Sequence, residues 1–298
     1  MLLYRNGGIA LLSEIADLLE QKAFFMGSSR DLGACDRVLL GLPLDSTTSF
    51  RPGTRLAPYR IREVSEAVEE YSVYLNKSLE EIDFYDAGDV VIPFGNVPQS
   101  LKNIEATARY FLEHEKKLFS IGGEHLVSLP LIKVYHDFYP DMVVIQMDAH
   151  ADLRADYLGE KLSHASVMRR VVEIIGTKKL FQLGIRSATR EELDYARQHS
   201  QLYLDQFLTA LKDVKEKIGQ RSVYISLDID VLDPAFAPGT GTPEAGGFSS
   251  RDLLQMLHEL RELDVVGFDL VEISPPCEHG DNTSILGAKI LREALLAY

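Results

Sequence analysis

The sequence predicts an α/β protein built on a mostly parallel sheet, and three observations predict it. Short apolar runs alternate with amphipathic stretches along nearly the whole chain. Those runs are apolar at consecutive positions, as in strands buried on both faces. Acidic and histidine residues cluster just after several of the runs, where open α/β sheets bind their ligands.

The expected strands are Arg37–Pro43, Ile82–Asp86, Leu118–Gly122, Met142–Met147, Leu180–Ile185, Ser222–Leu227 and Val265–Leu270. The helical stretches between them include Ile61–Tyr74, Leu101–Lys117, Glu191–Gln198, Ser249–Leu263 and Ser284–Leu296. This order implies a sheet covered by helices on both faces. No repeat, low-complexity tract or Pro/Gly/Ser linker divides the 298 residues, so one domain over 1–298 is expected. Residues 1–36 are read as an N-terminal helical extension of that unit, because Ile9, Leu11 and Leu12 are followed at once by Glu14, Asp17 and Glu20.

Composition narrows the functional classes. Two cysteines, Cys35 and Cys277, make no disulfide framework and suit a reducing cytoplasm. No apolar run reaches the roughly 18 residues of a membrane span. A formal net charge of −14 argues against nucleic acid and anionic membranes as partners, and is compatible with a small cationic substrate.

The chemistry-bearing residues sit at strand ends. Gly122-Gly123-Glu124-His125 follows one strand, Asp148-Ala149-His150-Ala151-Asp152 a second and Asp228-Ile229-Asp230 a third, while Glu272 ends a fourth. Asp148, His150 and Asp152 recur at period two, as do Asp228 and Asp230, so each set is expected to project one way. Four carboxylates in one cleft repel one another and raise each other's pKa. Two divalent cations, roughly 3.5–4 Å apart and sharing carboxylates, resolve the conflict. Carboxylate-rich ligation with some imidazole suits manganese or magnesium better than structural zinc. His114, His136, His199 and His258 lie in polar or helical contexts and receive no role.

Together these pieces resemble the arginase/agmatinase (ureohydrolase) family. The resemblance rests on Gly-Gly-Glu-His at 122–125, Met-Asp-Ala-His-Ala-Asp at 147–152, Ser-His-Ala-Ser at 163–166, the long stretch from Ser226 to Gly247, and Asp269-Leu-Val-Glu-Ile-Ser-Pro275. Phe50-Arg-Pro-Gly-Thr-Arg55 and Ile61-Arg62 match an N-terminal element of the family. Ala57, where family members commonly carry Gly, and Cys277-Glu278-His279, where related agmatinases often have Tyr and Asp, depart from the pattern.

The resemblance implies a three-layer αβα fold with a sheet of about eight strands, two Mn2+ ions per subunit, and assembly as a homo-trimer or homo-hexamer. One ion would be held by His125, Asp148, Asp152 and Asp228, the other by Asp148, His150, Asp228 and Asp230, with Asp148 and Asp228 bridging. Glu272 is the candidate cradle for a guanidinium, since a carboxylate matches that cation with two charge-assisted hydrogen bonds. His164 is the candidate proton shuttle, because imidazole titrates near working pH. Asp230 would also accept a hydrogen bond from the activated water. Arg154 is a candidate substrate contact on the loop after the Asp-x-His-x-Asp motif.

The expected reaction is hydrolysis of agmatine to putrescine and urea. Alternatives within the family are arginase, guanidinobutyrase and formimidoylglutamase activity. A dinuclear phosphoesterase would need Arg or Lys beside the metals. A non-catalytic metal-binding paralogue would have lost ligands or shuttle, and all are present here.

Overall fold

The computed structural model describes residues 13–298. Eleven strands are present among them: β1 (Leu19–Glu20), β2 (Arg37–Leu42), β3 (Tyr71–Ser72), β4 (Lys77–Ser78), β5 (Phe84–Val90), β6 (Lys117–Gly122), β7 (Val143–Met147), β8 (Leu180–Ile185), β9 (Gln201–Leu204), β10 (Val223–Asp228) and β11 (Val265–Val271). Nine of these form one sheet in the order β1-β5-β2-β6-β11-β10-β7-β8-β9. All neighbours are parallel except β1, which pairs antiparallel with β5 at one edge. The expected count of about eight strands is exceeded by one. Against the seven strands read from the sequence, the sheet gains two edges, β1 and β9, which are short and partly exposed, with little apolar signal to announce them.

Alternation along each strand builds two cores. On β7, Val143, Ile145 and Met147 enter one cluster and Val144 the other; on β10, Val223, Ile225 and Leu227 oppose Tyr224. The first face is covered by α1 (Ala57–Ser65), α6 (Leu211–Ile218), α7 (Ser250–Leu260) and α8 (Asn282–Ala297). The second is covered by α2 (Val97–Glu113), α3 (Ser128–Phe138), α4 (Val167–Ile175) and α5 (Arg190–His199). This is the three-layer αβα arrangement expected of parallel strands buried on both faces.

Two expectations need correction. The helix read from Ile61 to Tyr74 stops at Ser65 and the chain turns into the β3–β4 hairpin. Arg292 of α8 draws it away by donating to the carbonyls of Glu69 and Tyr71 at 2.6 and 3.0 Å. Of the helical extension over 1–36, residues 1–12 lie outside the described residues. Residues 13–36 form 3-10 turns at Ala16–Leu18 and Leu32–Ala34 and the strand β1 instead of an α-helix.

Strand order positions the site. The four strands whose ends carry acids and histidines, β6, β11, β10 and β7, are consecutive neighbours. Leu227 pairs with Met147 and Asp228 with Val271, so Asp228, Asp148 and Glu272 emerge at nearly one height.

Candidate metal and active site

Tight turns beyond the strand ends fold the ligands onto one another. Gly123 after β6 packs so closely on β2's continuation that a Cβ there would lie 1.9 Å from the Leu44 carbonyl oxygen. Only glycine permits that approach, and it brings His125 inward. Asp148, His150 and Asp152 do not continue β7 as a pleated strand. Asp152 adopts a left-handed φ of 53° and Glu272 one of 63°, conformations uncommon without glycine. The shared projection expected from period-two spacing is therefore produced by a turn.

The side chains converge as follows. His125 Nδ1 lies 3.1 Å from Asp148 Oδ2, 3.2 Å from Asp152 Oδ2 and 3.4 Å from Asp228 Oδ2. His150 Nδ1 lies 2.9 Å from Asp230 Oδ2 and 3.8 Å from Asp148 Oδ1. All six predicted ligands are thus brought together. Two subsets, His125/Asp148/Asp228 and Asp148/His150/Asp230, place a ligand atom of each member within 4.8 Å of the others, and Asp148 belongs to both.

The donor set fits cations. His125 Nδ1 and Asp230 Oδ2 are buried without a hydrogen-bond partner despite these short contacts, because their neighbours do not meet them at bonding angles. Burial, then the charges of Asp230 and Asp152, push the Asp148 carboxyl up to about 7. Burial, then Asp230 and Asp148, push Asp228 well above the usual carboxylate range. Burial alone would depress the two imidazoles. The carboxylates facing them instead lift His125 well up, and Asp230 lifts His150 to about 11. Burial also works to raise Asp230, but His150 holds it at about 2. Such mutual distortion marks a cluster short of positive charge.

The cluster floors a cleft of about 340 Å³ whose walls include Arg154, Tyr157, His164, Glu192 and Glu272. Glu272 Oε1 accepts the His125 backbone N–H at 2.7 Å, and burial, partly offset by that bond, drives its pKa well up. The His164 ring lies between hydroxyls, with Nδ1 3.3 Å from Thr47 Oγ1 and Nε2 3.2 Å from Ser49 Oγ. Arg154 leans over the Tyr157 ring, with Nε 3.9 Å from Glu192 Oε2. His279 is exposed and is not among the cleft-lining residues, and Cys277 Sγ accepts from Ser274 Oγ at 3.3 Å.

A family model for the arginase family matches residues 35–297. The chain belongs to the arginase family. Agmatinases of Halalkalibacterium halodurans and Bacillus subtilis are 47% and 46% identical to it, over 93% and 92% of this chain and 96% of each relative. The solved agmatine ureohydrolase of Thermoplasma volcanium superposes with a TM-score of 0.85 at 29% identity, covering 96% of this chain and 97% of that one. The protein is accordingly a hydrolase acting on C–N bonds of amidines, and its likeness is to the agmatinases.

This arginase-family site rests on polar residues that the sequence reading passed over. Gln146 Nε2 donates to Asp148 Oδ2 at 2.7 Å and to the His150 carbonyl at 3.1 Å. Gln182 Nε2 donates to Gln146 Oε1 at 2.8 Å and to the Ala151 carbonyl at 2.9 Å, and Ser200 Oγ closes the chain on Gln182 Oε1 at 2.7 Å. Two buried amides therefore aim their donors at the Asp148–Ala151 turn. His125 Nε2 meets Ser226 Oγ at 3.0 Å, and Ser226 donates to Asp269 at 2.8 Å. Arg186 grips the Asp230, Val231, Leu232 and Glu244 carbonyls. A signal existed. Gln146 and Ser226 each stand two residues before an aspartate, as polar interruptions of otherwise apolar strands that project on the same face.

Proposed function

We propose that the protein hydrolyses agmatine to putrescine and urea, with two manganese ions held by His125, Asp148, Asp152, Asp228, His150 and Asp230. The observation that carries this reading is the cleft itself: an acidic and imidazole floor continuous with Glu272 and His164. Oxygen-rich ligation with two imidazoles favours manganese. Bound there, the ions neutralise the carboxylates and supply the Lewis acidity that makes water reactive at neutral pH.

The remaining work falls to the chain. A guanidinium is planar and permanently charged, and Glu272 holds it by charge-assisted hydrogen bonds. Holding the guanidinium carbon against the activated water supplies orientation. Water adds to that carbon, a C–O bond forms, and the C–N bond to the alkyl chain breaks. The amine leaves with a proton delivered by His164, and the other product is urea. Asp230 accepts a hydrogen bond from the attacking water.

The far wall of the cleft favours a substrate without a carboxylate. Arg154 is the one Arg or Lys among the described residues lining it, with its Nε 3.9 Å from Glu192 Oε2. Glu192 is itself fixed by the N–H groups of Leu153 and Thr189. Ser187, Ala188 and Thr189 complete that wall. A substrate carboxylate would be desolvated there with Arg154 as its one cationic partner, and that partner is shared with Glu192. A homo-trimer or homo-hexamer in the cytoplasm belongs to the same reading, and the free Cys35 and Cys277 fit a reducing compartment.

Side-by-side kcat/KM values for agmatine, arginine and guanidinobutyrate, read as urea release with manganese, test the proposal. Agmatine should exceed arginine by at least about a hundredfold. Arginine at parity overturns the substrate, and a lead for guanidinobutyrate shows that Arg154 receives a carboxylate.

A further inference from the structure

Behind His164 stands a group of polar atoms that the reaction above leaves unused. Glu124 is fully buried. Its Oε2 accepts the backbone N–H groups of Ser46 and Thr47, each at 2.7 Å, and its Oε1 accepts the Thr47 hydroxyl at 2.9 Å. Thr47 Oγ1 meets His164 twice. It accepts the His164 backbone N–H at 3.0 Å and lies 3.3 Å from ring Nδ1. The other ring nitrogen, Nε2, is 3.2 Å from Ser49 Oγ on the cleft wall.

The polarity of this chain follows from its hydrogens once Glu124 is the carboxylate that its three donors favour, although burial alone would raise its pKa. A threonine hydroxyl has one proton and two acceptor sites. Backbone N–H groups can only donate, so Glu124 Oε2 accepts twice and Thr47 Oγ1 accepts at least once. Turning the single Thr47 proton toward the Glu124 carboxylate makes the stronger, charge-assisted bond. The acceptor site left on Thr47 Oγ1 then faces Nδ1 at 3.3 Å, an arrangement that favours the hydrogen on that nitrogen. The Tyr157 ring stands edge-on to the imidazole, with centroids 5.8 Å apart, on the cleft side.

Resting on the reading of His164 as the shuttle, we infer that Thr47 and Glu124 are positioning residues that hold His164 as the Nδ1–H tautomer. Nε2 is then the atom that takes up and delivers the proton. The buried carboxylate steadies the imidazolium through the Thr47 hydroxyl, as a carboxylate orients histidine directly in serine hydrolases. The signal in the sequence was faint: Thr47 is one of several hydroxyl residues in the run 46–49, and its partner Glu124 lies far along the chain.

Two measurements test this. The first is neutron diffraction from deuterated crystals of the manganese-loaded wild-type protein at alkaline pH. Deuterium on Nδ1 of His164, with none on Nε2, is expected; deuterium on Nε2 alone overturns the inference. The second compares Thr47→Val with Thr47→Ser on agmatine. Thr47→Val should lower kcat roughly tenfold to a hundredfold, a part of what acid–base help supplies, with KM within about twofold and manganese content unchanged. Thr47→Ser should restore kcat to within about threefold of wild type. Wild-type kcat in Thr47→Val overturns the inference. Absence of urea release from agmatine by the wild type defeats the proposed function instead, and the neutron map still decides the tautomer.

Discussion

Two clusters of buried carboxylates among the described residues are treated differently. Near the β1 edge, Asp86 and Asp89 on β5 flank Arg62 of α1. Arg62 Nε and Nη2 donate to Asp86 at 2.8 and 2.9 Å, Nη1 donates to Asp89 at 2.6 Å, and the remaining donor capacity goes to the Pro58 and Gly88 carbonyls. Asp86 accepts the Phe25 N–H as well. The charge is closed from within, by a side chain whose fork matches a carboxylate. At the ends of β6, β7, β10 and β11, four aspartates and Glu272 gather with two imidazoles and no Arg or Lys in ion-pair contact among the described residues. Two of its buried polar atoms lack partners. The first cluster brings its own cation; the second is left short of positive charge, as the proposed function requires.

The largest effect that would break the comparison is expected at Asp228. Asp228→Asn removes a charge from the floor of the cleft. It should cost at least one manganese per subunit and about 10⁴-fold or more in turnover, as expected when a group essential to metal chemistry is lost. Metal content and urea release read it, and an active, fully loaded variant would defeat the ligand assignment. Arg62→Met comes next. It strands two buried carboxylates and should destabilise the fold by about 3–5 kcal/mol in urea unfolding, while manganese still binds to the folded protein. A loss below about 1 kcal/mol would mean that the pair is solvent-accessible and the contrast overstated.

The smallest effect sharpens the contrast through pH. In metal-free protein, burial and neighbouring aspartates hold the Asp148 carboxyl up at about 7, against an ordinary 3.8. A carboxyl raised on folding contributes stability that is full below its unfolded pKa and lost as pH rises through its folded pKa. His150, lifted to about 11, contributes in the same sense above its ordinary 6.5. Asp230, held near 2, acts the other way and only at acid pH. The Tm of metal-free protein should therefore fall by a few degrees between pH about 5 and 8, at roughly 2–4 °C per kcal/mol. Saturating manganese should abolish the decline, since binding favours deprotonated ligands. A metal-free Tm that rises over that window would contradict the picture of unbalanced carboxylates.

The central strands were legible because full burial makes them apolar at consecutive positions, and the candidate ligands because each follows such a run at fixed spacing. β9, reading Gln-Leu-Tyr-Leu at one edge, has too little pattern to be seen. The end of α1 was hidden because the signal that ends it is Arg292, more than two hundred residues away in sequence. The acidic floor was readable for the reason Thr47 was not. Asp148, His150 and Asp152 announce themselves together, whereas Thr47 gains meaning only when folding sets it between Glu124 and His164. Arg154 was readable as a cleft residue, but not its partner, because Glu192 looks like a helix-capping glutamate and is one.

The central claim, that the acidic floor is completed by two cations, is tested most directly by anomalous diffraction at the manganese edge from crystals of the manganese-loaded protein. Two peaks per subunit are predicted, roughly 3.5–4 Å apart, one beside His125 and one beside His150, with Asp148 reaching both. A single peak, or manganese located away from these residues, would contradict the account.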